Sequence, residues 1–254
     1  MNKRLVQIGG AALSCGRPVI CIPVMGEDMA SLGAAARSAF EAGAEIIELR
    51  ADSMHSMPTL ERAQSMCETV RSHAPGIPLL FTLRTVRDGG AGDEDAAAYE
   101  ALLSHLAQAG CAEAIDVEIS VGWPAFERIA SQLHAHGVAL VGSSHDFSRT
   151  PPEEEMLSRL AAMEQHGADV CKIAVMPENR LDVLTLMRAS VRADEALSAP
   201  VIAIAMGPLG VITRMSGEIT GSCLTFGTAG KASAPGQMDA AQLKTVLGII
   251  HNSI

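Results

Sequence analysis

The feature that most limits the fold of this chain is a regular alternation of short aliphatic runs with segments of helical spacing. Each run has the length and the branched aliphatic content of a β-strand. The eight runs are Val19 to Met25, Ala44 to Ala51, Pro78 to Arg84, Ala114 to Ile119, Val138 to Ser143, Asp169 to Val175, Pro200 to Met206 and Ser222 to Phe226. A strand and its helix together take about thirty residues, the length of a βα repeat. This pattern predicts an α/β fold, a (β/α)8 TIM barrel.

An open, doubly wound sheet is the alternative architecture for such an alternation. That fold would carry a glycine fingerprint after its first strand, and the residues from Met25 to Asp28 do not supply one. We therefore expect residues 1–254 to form a single barrel domain. Lys3 and Arg4 precede a mildly apolar run, but Gln7 and two glycines interrupt it, so a short N-terminal strand or turn packed on the barrel is expected rather than an export signal.

The composition restricts the partners and the compartment. The 254 residues are 48% hydrophobic and 19% charged, which is enough apolar material for a large core. The formal charge of -10 disfavours nucleic acid and anionic membranes as partners, and no apolar stretch is long enough to span a bilayer. Six scattered cysteines without a C-x-x-C pair are typical of the reducing cytoplasm. No metal or nucleotide motif is present, so neither a metal nor a cofactor is expected.

A lysine at the centre of the sixth strand, Lys172 in DVCKIAV, is the most unusual single residue. A buried ammonium costs several kcal/mol unless it is paired or deprotonated. Desolvation favours the neutral amine, which attacks carbonyl carbon. Lys172 is therefore either a reagent or a strand-end cation that reaches into water.

Polar residues in five strands favour the first interpretation, because they keep the same parity. Side chains in a barrel alternate between the interior and the helix layer. On this count the inward set is Glu48 and Arg50, Thr82 and Arg84, Asp116 and Glu118, Ser143 and His145, and Lys172. Such residues at the carboxyl ends of barrel strands line an active-site mouth, although any single pair could be an interior salt bridge.

The loops after the last two strands add an anion-binding element. Lys231 lies in the glycine-rich loop GTAGKASAPGQ, which could hold a phosphate or close over a carboxylate, and Arg214 would supply charge in either case. His145, just past the predicted fifth strand, is a better candidate for chemistry than His55. Together these residues suggest imine chemistry on an anionic carbonyl compound.

At this level of detail the chain resembles the type I 3-dehydroquinate dehydratase family. The matching segments are MGEDM, IIELRAD, PLLFTLR, SSHDF, KIAVMP, GVITRMSGE and SAPGQ. The resemblance implies dehydration of 3-dehydroquinate to 3-dehydroshikimate, with Lys172 as the Schiff-base lysine and His145 as the general acid/base. It implies that Arg214, Ser233 and Gln237 hold the substrate carboxylate. It also implies that Glu48, Arg50 and Arg84 contact the hydroxyls, that Met206 and Phe226 pack on the ring, and that the protein is a homodimer.

Two residues depart from the family pattern. Asp88 stands before Gly89 and Gly90 where the family usually has a glutamate that orients the histidine. Its side chain is one methylene shorter, so the sequence leaves open a direct contact with His145 or a water bridge. Pro23 replaces a serine found in some members. Two alternatives to the dehydratase remain: an aldolase-type Schiff-base lyase and a non-catalytic barrel that binds a small carboxylate.

Overall fold

Eight parallel strands form the barrel that the alternation predicts. The computed structural model describes residues 3–54, 58–93, 95–230 and 236–254. The barrel strands are β3 (Val19–Val24), β4 (Ile46–Arg50), β5 (Leu79–Thr82), β6 (Ala114–Glu118), β7 (Ala139–Asp146), β8 (Val170–Val175), β9 (Val201–Ala205) and β10 (Leu224–Thr228), after an N-terminal hairpin of β1 (Val6–Ile8) and β2 (Ala11–Leu13). They are hydrogen-bonded in chain order, with β10 beside β3. A parallel bridge between Val201 and Ser222 closes the barrel.

The helices form the outer layer. They are α1 (Met29–Glu41), α2 (Leu60–His73), α3 (Ala96–Gln108), α4 (Trp123–Ala135), α5 (Glu153–Gln165), α6 (Arg180–Ala196), α7 (Val211–Met215), α8 (Gly217–Thr220) and α9 (Ala240–His251), and a two-residue strand β11 (Met238–Asp239) precedes the last of them. Asp28 and Asn179 begin their helices with capping boxes, because their side chains accept from the free backbone N–H groups of the first turn. Within the described residues, four of the strand-to-helix connections contain short 3-10 turns, at Ala51–Met54, Val86–Asp88, Ile119–Val121 and Pro208–Gly210.

The parity predicted for the strands is confirmed. In β8, Val170 and Ala174 belong to the apolar cluster inside the barrel, whereas Cys171, Ile173 and Val175 belong to the cluster between strands and helices. Lys172 therefore faces the interior.

The N-terminal hairpin packs against one end of the barrel. Val6, Ile8 and Leu13 are buried in the same cluster as the interior side chains at the first residues of the barrel strands. Gly9 turns the hairpin with a φ of 55°, and a Cβ there would lie 2.9 Å from Pro78, just before β5. The N-terminal end of the barrel is thus filled by apolar side chains, and the opposite end carries the polar groups.

Each of the eight strands differs from its sequence-based expectation by one or two residues at an end, and the end of the fifth differs by three. The fifth barrel strand, β7, was expected to end at Ser143 but extends to Asp146, since its ladder with β8 continues through the pairs His145 with Ala174 and Asp146 with Val175. His145 is therefore a strand residue, held by backbone pairing rather than by a loop.

Candidate active site

A cavity opens at the carboxyl ends of the barrel strands and collects most of the residues singled out from the sequence. Its lining consists of Glu48, Arg50, Arg84, Gly89, His145, Phe147, Lys172, Ala174, Ile204, Met206, Arg214, Phe226 and Gln237. Asp88 lies behind His145. Ser233, Lys231 and His55 fall outside the described residues. The other substrate-binding residues expected from the resemblance thus lie around one cavity.

Lys172 is buried, with 4% of its surface exposed. Its Nζ lies 3.1 Å from Asp116 Oδ2 and 3.7 Å from Glu48 Oε1. The ring of Phe226 has its centroid 4.8 Å from the same nitrogen. The amine is therefore held by two carboxylates and an aromatic face, and it is not a strand-end cation that extends into water.

Asp116 and Arg84 extend this cluster into a buried network. Arg84 Nη2 lies 2.9 Å from Asp116 Oδ1, and its Nη1 donates to Glu118 Oε1 at 2.9 Å and to Ser143 Oγ at 3.0 Å. Burial alone would raise the pKa of Asp116, but the charges of Arg84 and Lys172 hold it well below its usual value. Burial would likewise lower the pKa of Arg84, and the two carboxylates keep it above its usual value. Both groups are therefore ionised.

The sequence placed Glu118 in the same inward-facing set as Lys172, but Glu118 bonds elsewhere. It accepts from Arg84, from the backbone N–H of Thr85 at 2.8 Å and from the Thr85 hydroxyl at 2.6 Å. Asp116 is the residue that contacts the amine. Parity alone placed both Asp116 and Glu118 inside the barrel. It could not tell which of them contacts Lys172, because that depends on which strand lies opposite each carboxylate.

Asp88 contacts His145 directly, without a bridging water. Asp88 Oδ2 lies 3.1 Å from His145 Nδ1 and accepts from the His145 backbone N–H at 3.2 Å. Burial would raise the pKa of Asp88, whereas the hydrogen bond with His145 and the charge of Arg84 lower it. An ionised carboxylate is an acceptor only, so Nδ1 carries the proton and Nε2 the lone pair.

The imidazole is neutral at physiological pH. Burial is the main cause that lowers the pKa of His145 to about 3, and the nearby charge of Arg84 acts in the same sense. The hydrogen bond with Asp88 acts in the opposite sense. The arrangement therefore presents a neutral histidine with its basic Nε2 available to a ligand in the cavity.

Two glycines allow the turn that carries Asp88 to pack closely beside His145. Gly89 ends the 3-10 turn at a φ of 79°, and a Cβ there would lie 2.3 Å from the Phe147 ring. A Cβ on Gly90 would lie 2.2 Å from the Arg84 carbonyl oxygen. Because neither glycine has a side chain, the turn packs closely against Arg84 and Phe147 and brings Asp88 beside His145.

The remaining arginines of the cavity are held in different ways. Arg50 forms a two-point ion pair with Asp52, at 2.9 Å from Nε to Oδ1 and 2.8 Å from Nη2 to Oδ2. Arg214, on α7, is almost fully buried and donates from Nη1 to the Phe226 carbonyl oxygen at 3.4 Å. Burial lowers the pKa of Arg214 to about 10, which still leaves it cationic at neutral pH. Both guanidinium groups therefore keep their charge at the cavity.

Sequence reasoning passed over Asp52, Phe147 and Gly89, and it noted Asp116 only for its inward parity. The segments IIELRAD and SSHDF contain Asp52 and Phe147, so a signal existed for these two. Within the described ranges, no group of three or more His, Cys, Asp or Glu side chains is arranged to hold a metal ion. No helix in the same ranges is long and apolar enough to cross a membrane.

The fold and this cavity define a (β/α)8-barrel enzyme with its polar groups at the C-terminal mouth of the barrel. The sequence model of the family described as "Type I 3-dehydroquinase" matches residues 20–254. A curated 3-dehydroquinate dehydratase from Bacillus licheniformis is 37% identical over 253 residues, covering 99% of this chain and 100% of the relative. The chain belongs to the type I 3-dehydroquinate dehydratase family.

Solved structures agree with this membership. The type I 3-dehydroquinate dehydratase from Clostridium difficile superposes with a TM-score of 0.94 at 37% identity, covering 99% of this chain and 100% of that one. The 3-dehydroquinate dehydratase from Geobacillus kaustophilus gives a TM-score of 0.93 at 33% identity, with 99% of both chains covered. The chain is accordingly a hydro-lyase of the shikimate pathway, and its family dehydrates 3-dehydroquinate.

Proposed function

We propose that the chain dehydrates 3-dehydroquinate to 3-dehydroshikimate through a Schiff base on Lys172, with His145 as general acid/base. The observation that carries the proposal is the pairing, in one cavity, of a buried lysine amine with a neutral imidazole whose tautomer is fixed by Asp88. The related protein from Clostridium difficile was solved with covalent modified comenic acid, which supports covalent attachment of an acid in this family.

The first step joins the amine to the ketone. Lys172 Nζ gives up one proton before its lone pair attacks the carbonyl carbon and a second proton from the resulting adduct. The carbonyl oxygen takes up these two protons and leaves as water. The product is a protonated imine, with the carbon of the former ketone bound to Nζ. His145 accepts and returns protons in this step, since its Nε2 carries the lone pair.

The second step removes a proton from the carbon next to the imine. His145 Nε2 takes this proton, and the electron pair of the C–H bond moves toward the iminium nitrogen to give an enamine. The iminium is the electron sink, so the step needs neither a metal nor a cofactor. The ionised Asp88 carboxylate then stabilises the newly formed imidazolium through its contact with His145 Nδ1.

The third step expels the hydroxyl group and releases the product. The enamine electrons return to form the conjugated iminium as the hydroxyl leaves, and the imidazolium gives it the abstracted proton, so that water departs. A second water then hydrolyses the imine, which frees 3-dehydroshikimate and restores Lys172. Over the cycle one water molecule is lost and no proton is gained or lost.

The binding roles follow the charges around the cavity. We assign Arg214, Gln237 and Ser233 to the substrate carboxylate, because a guanidinium with amide and hydroxyl donors suits a carboxylate. Glu48, Arg50 and Arg84 are assigned to the hydroxyl groups. The buried Met206 and Phe226 supply the apolar wall against the ring.

The two alternatives are weaker than the dehydratase. Aldolase-type cleavage would share the imine, but nothing in the family comparisons favours it, and phosphorylated substrates would have to protect Lys172 from reduction. A non-catalytic barrel was suggested by the substitution at Asp88, and the direct bond from Asp88 to His145 removes that motive. Enone absorbance that develops from 3-dehydroquinate would contradict a non-catalytic role.

The decisive test is reductive trapping. Borohydride added with 3-dehydroquinate should inactivate the enzyme and leave a substrate adduct on Lys172, located by peptide mass spectrometry. Lys172→Ala should abolish both turnover and the adduct, whereas Lys244→Ala, at an exposed lysine of α9, should change neither. An adduct on Lys231 instead, or no adduct during turnover, would contradict the mechanism.

Two further properties, one implied by the resemblance and one by the cysteines, complete the proposal. The protein is proposed to form a homodimer, which sedimentation equilibrium would measure directly. It is also proposed to act in the cytoplasm, because all six cysteines are free thiols and five of them are buried.

A further inference from the structure

Lys172 has an unequal pair of carboxylate neighbours. Asp116 Oδ2 lies 3.1 Å from Nζ, whereas Glu48 Oε1 lies 3.7 Å away and already accepts from the Thr82 hydroxyl at 2.9 Å. We propose that Asp116 is the fixed counter-ion of the Lys172 nitrogen, first for the ammonium and then for the iminium that carries the reaction. This inference rests on the proposed Schiff base.

Asp116 is held so that one oxygen faces the lysine. Its other oxygen, Oδ1, accepts from the Ser143 hydroxyl at 2.6 Å and pairs with Arg84 Nη2 at 2.9 Å. The carboxylate lies in the middle of β6, and only 1% of its surface is exposed. A charge that is fixed in place and shielded from water stabilises a developing cation more strongly than a mobile one, because no reorganisation is needed during the reaction.

Asp116 acts as a charge and not as a base. Arg84 and Lys172 lower the pKa of Asp116 against the effect of burial, so the carboxylate stays ionised at neutral pH and does not take up the proton that Lys172 releases. Proton transfer therefore falls to His145. Asp116 forms no covalent bond and exchanges no proton in the cycle, and its effect is exerted across the contact with the reacting nitrogen.

Glu118 provides a matched control for this role. Like Asp116 it is a fully buried carboxylate of β6 that binds Arg84, but its other hydrogen bonds go to Thr85 and Ser120. The substitutions Asp116→Asn and Glu118→Gln each remove one buried charge and one partner of Arg84. Asp116→Asn alone removes a contact to Lys172.

The experiment measures two quantities in the wild type and both variants. These are kcat for dehydration and the pH at which trapping of the substrate imine by cyanoborohydride is half-maximal. In Asp116→Asn we expect kcat to fall by about 100-fold, the size of effect seen when one preorganised electrostatic group is removed. The trapping midpoint should move down by about one pH unit, because the ammonium has lost its counter-ion. In Glu118→Gln the trapping midpoint should stay where it is.

The outcomes separate this inference from the proposed function. If the wild type is not trapped at Lys172, the Schiff base itself is wrong. If the wild type is trapped but Asp116→Asn keeps the wild-type kcat and midpoint, the counter-ion role is wrong. A lower kcat with an unmoved midpoint would show that Asp116 supports only the structure of the site, and it would also overturn the inference.

Folding of the variant is checked by circular dichroism. Asp116→Asn is expected to fold, because Arg84 keeps Glu118 and Ser143 and Lys172 keeps Glu48. If it does not fold, Ser143→Ala replaces it. Loss of the Ser143 hydroxyl concentrates negative charge on Asp116, so the trapping midpoint should move upward in that variant. An unmoved midpoint there would overturn the counter-ion role.

Discussion

The two ends of the barrel interior are built from the same strands but differ in charge, since the charged side chains lie at the C-terminal end. At the N-terminal end the inward residues are apolar and pack with the hairpin, as Ala114 of β6 and Val170 of β8 do. Two residues further along the same strands lie Asp116 and Lys172, which form an ion pair. Two residues along each strand therefore separate a layer of apolar side chains, which stabilises the fold, from a layer that carries charge.

This difference shows how the barrel accommodates a buried lysine amine. Isolated charges in an apolar interior cost several kcal/mol each, and pairing recovers that cost only when the geometry is good. The mouth meets this condition with a chain of contacts from Lys172 through Asp116 to Arg84 and Glu118. The apolar end supplies rigidity, so the charged end can keep groups whose contribution is to reactivity rather than to stability.

The largest effect on catalysis is expected from a substitution of Asp88, which contacts His145 at the charged end of the barrel. Asp88→Asn should lower kcat by about 100- to 1000-fold, within the range attributed to general acid/base catalysis. The amide is uncharged, so the imidazolium that forms when His145 takes up a substrate proton would lose the ion pair that stabilises it. Steady-state kinetics with 3-dehydroquinate measures this loss.

Asp88→Glu is the control, because it restores the residue usual in the family and keeps the carboxylate. Its kcat should stay within about tenfold of the wild type. If Asp88→Asn retained wild-type turnover, stabilisation of the imidazolium by this carboxylate would be refuted. The fold should be unaffected in both variants, since the apolar end of the barrel is unchanged.

The sequence predicted most of this contrast but not its details. Strand alternation predicted the barrel, and period-two parity predicted that Lys172, Glu48 and Arg84 face inward. Backbone geometry alone decides these properties. Which carboxylate touches Lys172 depends on how neighbouring strands are staggered around the barrel, and a single strand does not contain that information. Asp116 was therefore noted but not selected.

The contact between Asp88 and His145 could not be predicted for a related reason. Side-chain length left open whether the aspartate contacts the histidine directly or through a water. In the structure Asp88 reaches His145 from a turn in which Gly89 and Gly90 pack against Phe147 and Arg84, and His145 lies on the extended β7. A distance set by turn geometry and by the end of a strand is not encoded in the residue type of either partner.

A smaller effect is expected from Arg214, which belongs to the charged end but not to the proton-transfer groups. Arg214→Ala should raise KM for 3-dehydroquinate by about 10- to 100-fold and change kcat much less, because a charged hydrogen bond to a carboxylate contributes roughly 1.5–3 kcal/mol. Arg214→Lys keeps the charge but not the two-point geometry, and its KM should lie between those of the wild type and Arg214→Ala. A change confined to kcat would contradict a binding role.

The smallest effect on catalysis is expected at the apolar end. Leu13→Ala removes a fully buried side chain that packs inside the barrel base, and it should lower the free energy of unfolding by about 2–5 kcal/mol. Each kcal/mol lost should lower Tm by about 2–4 °C in a chain of this size. The kcat at 25 °C should not change, because the charged layer is held by its own ion pairs.

Leu5→Ala, at an exposed leucine beside the same hairpin, is the matched control and should leave Tm nearly unchanged. A Leu13→Ala enzyme with an unchanged Tm but a reduced kcat would show that the two ends are coupled. It would contradict separate roles for the apolar end in stability and the charged end in catalysis.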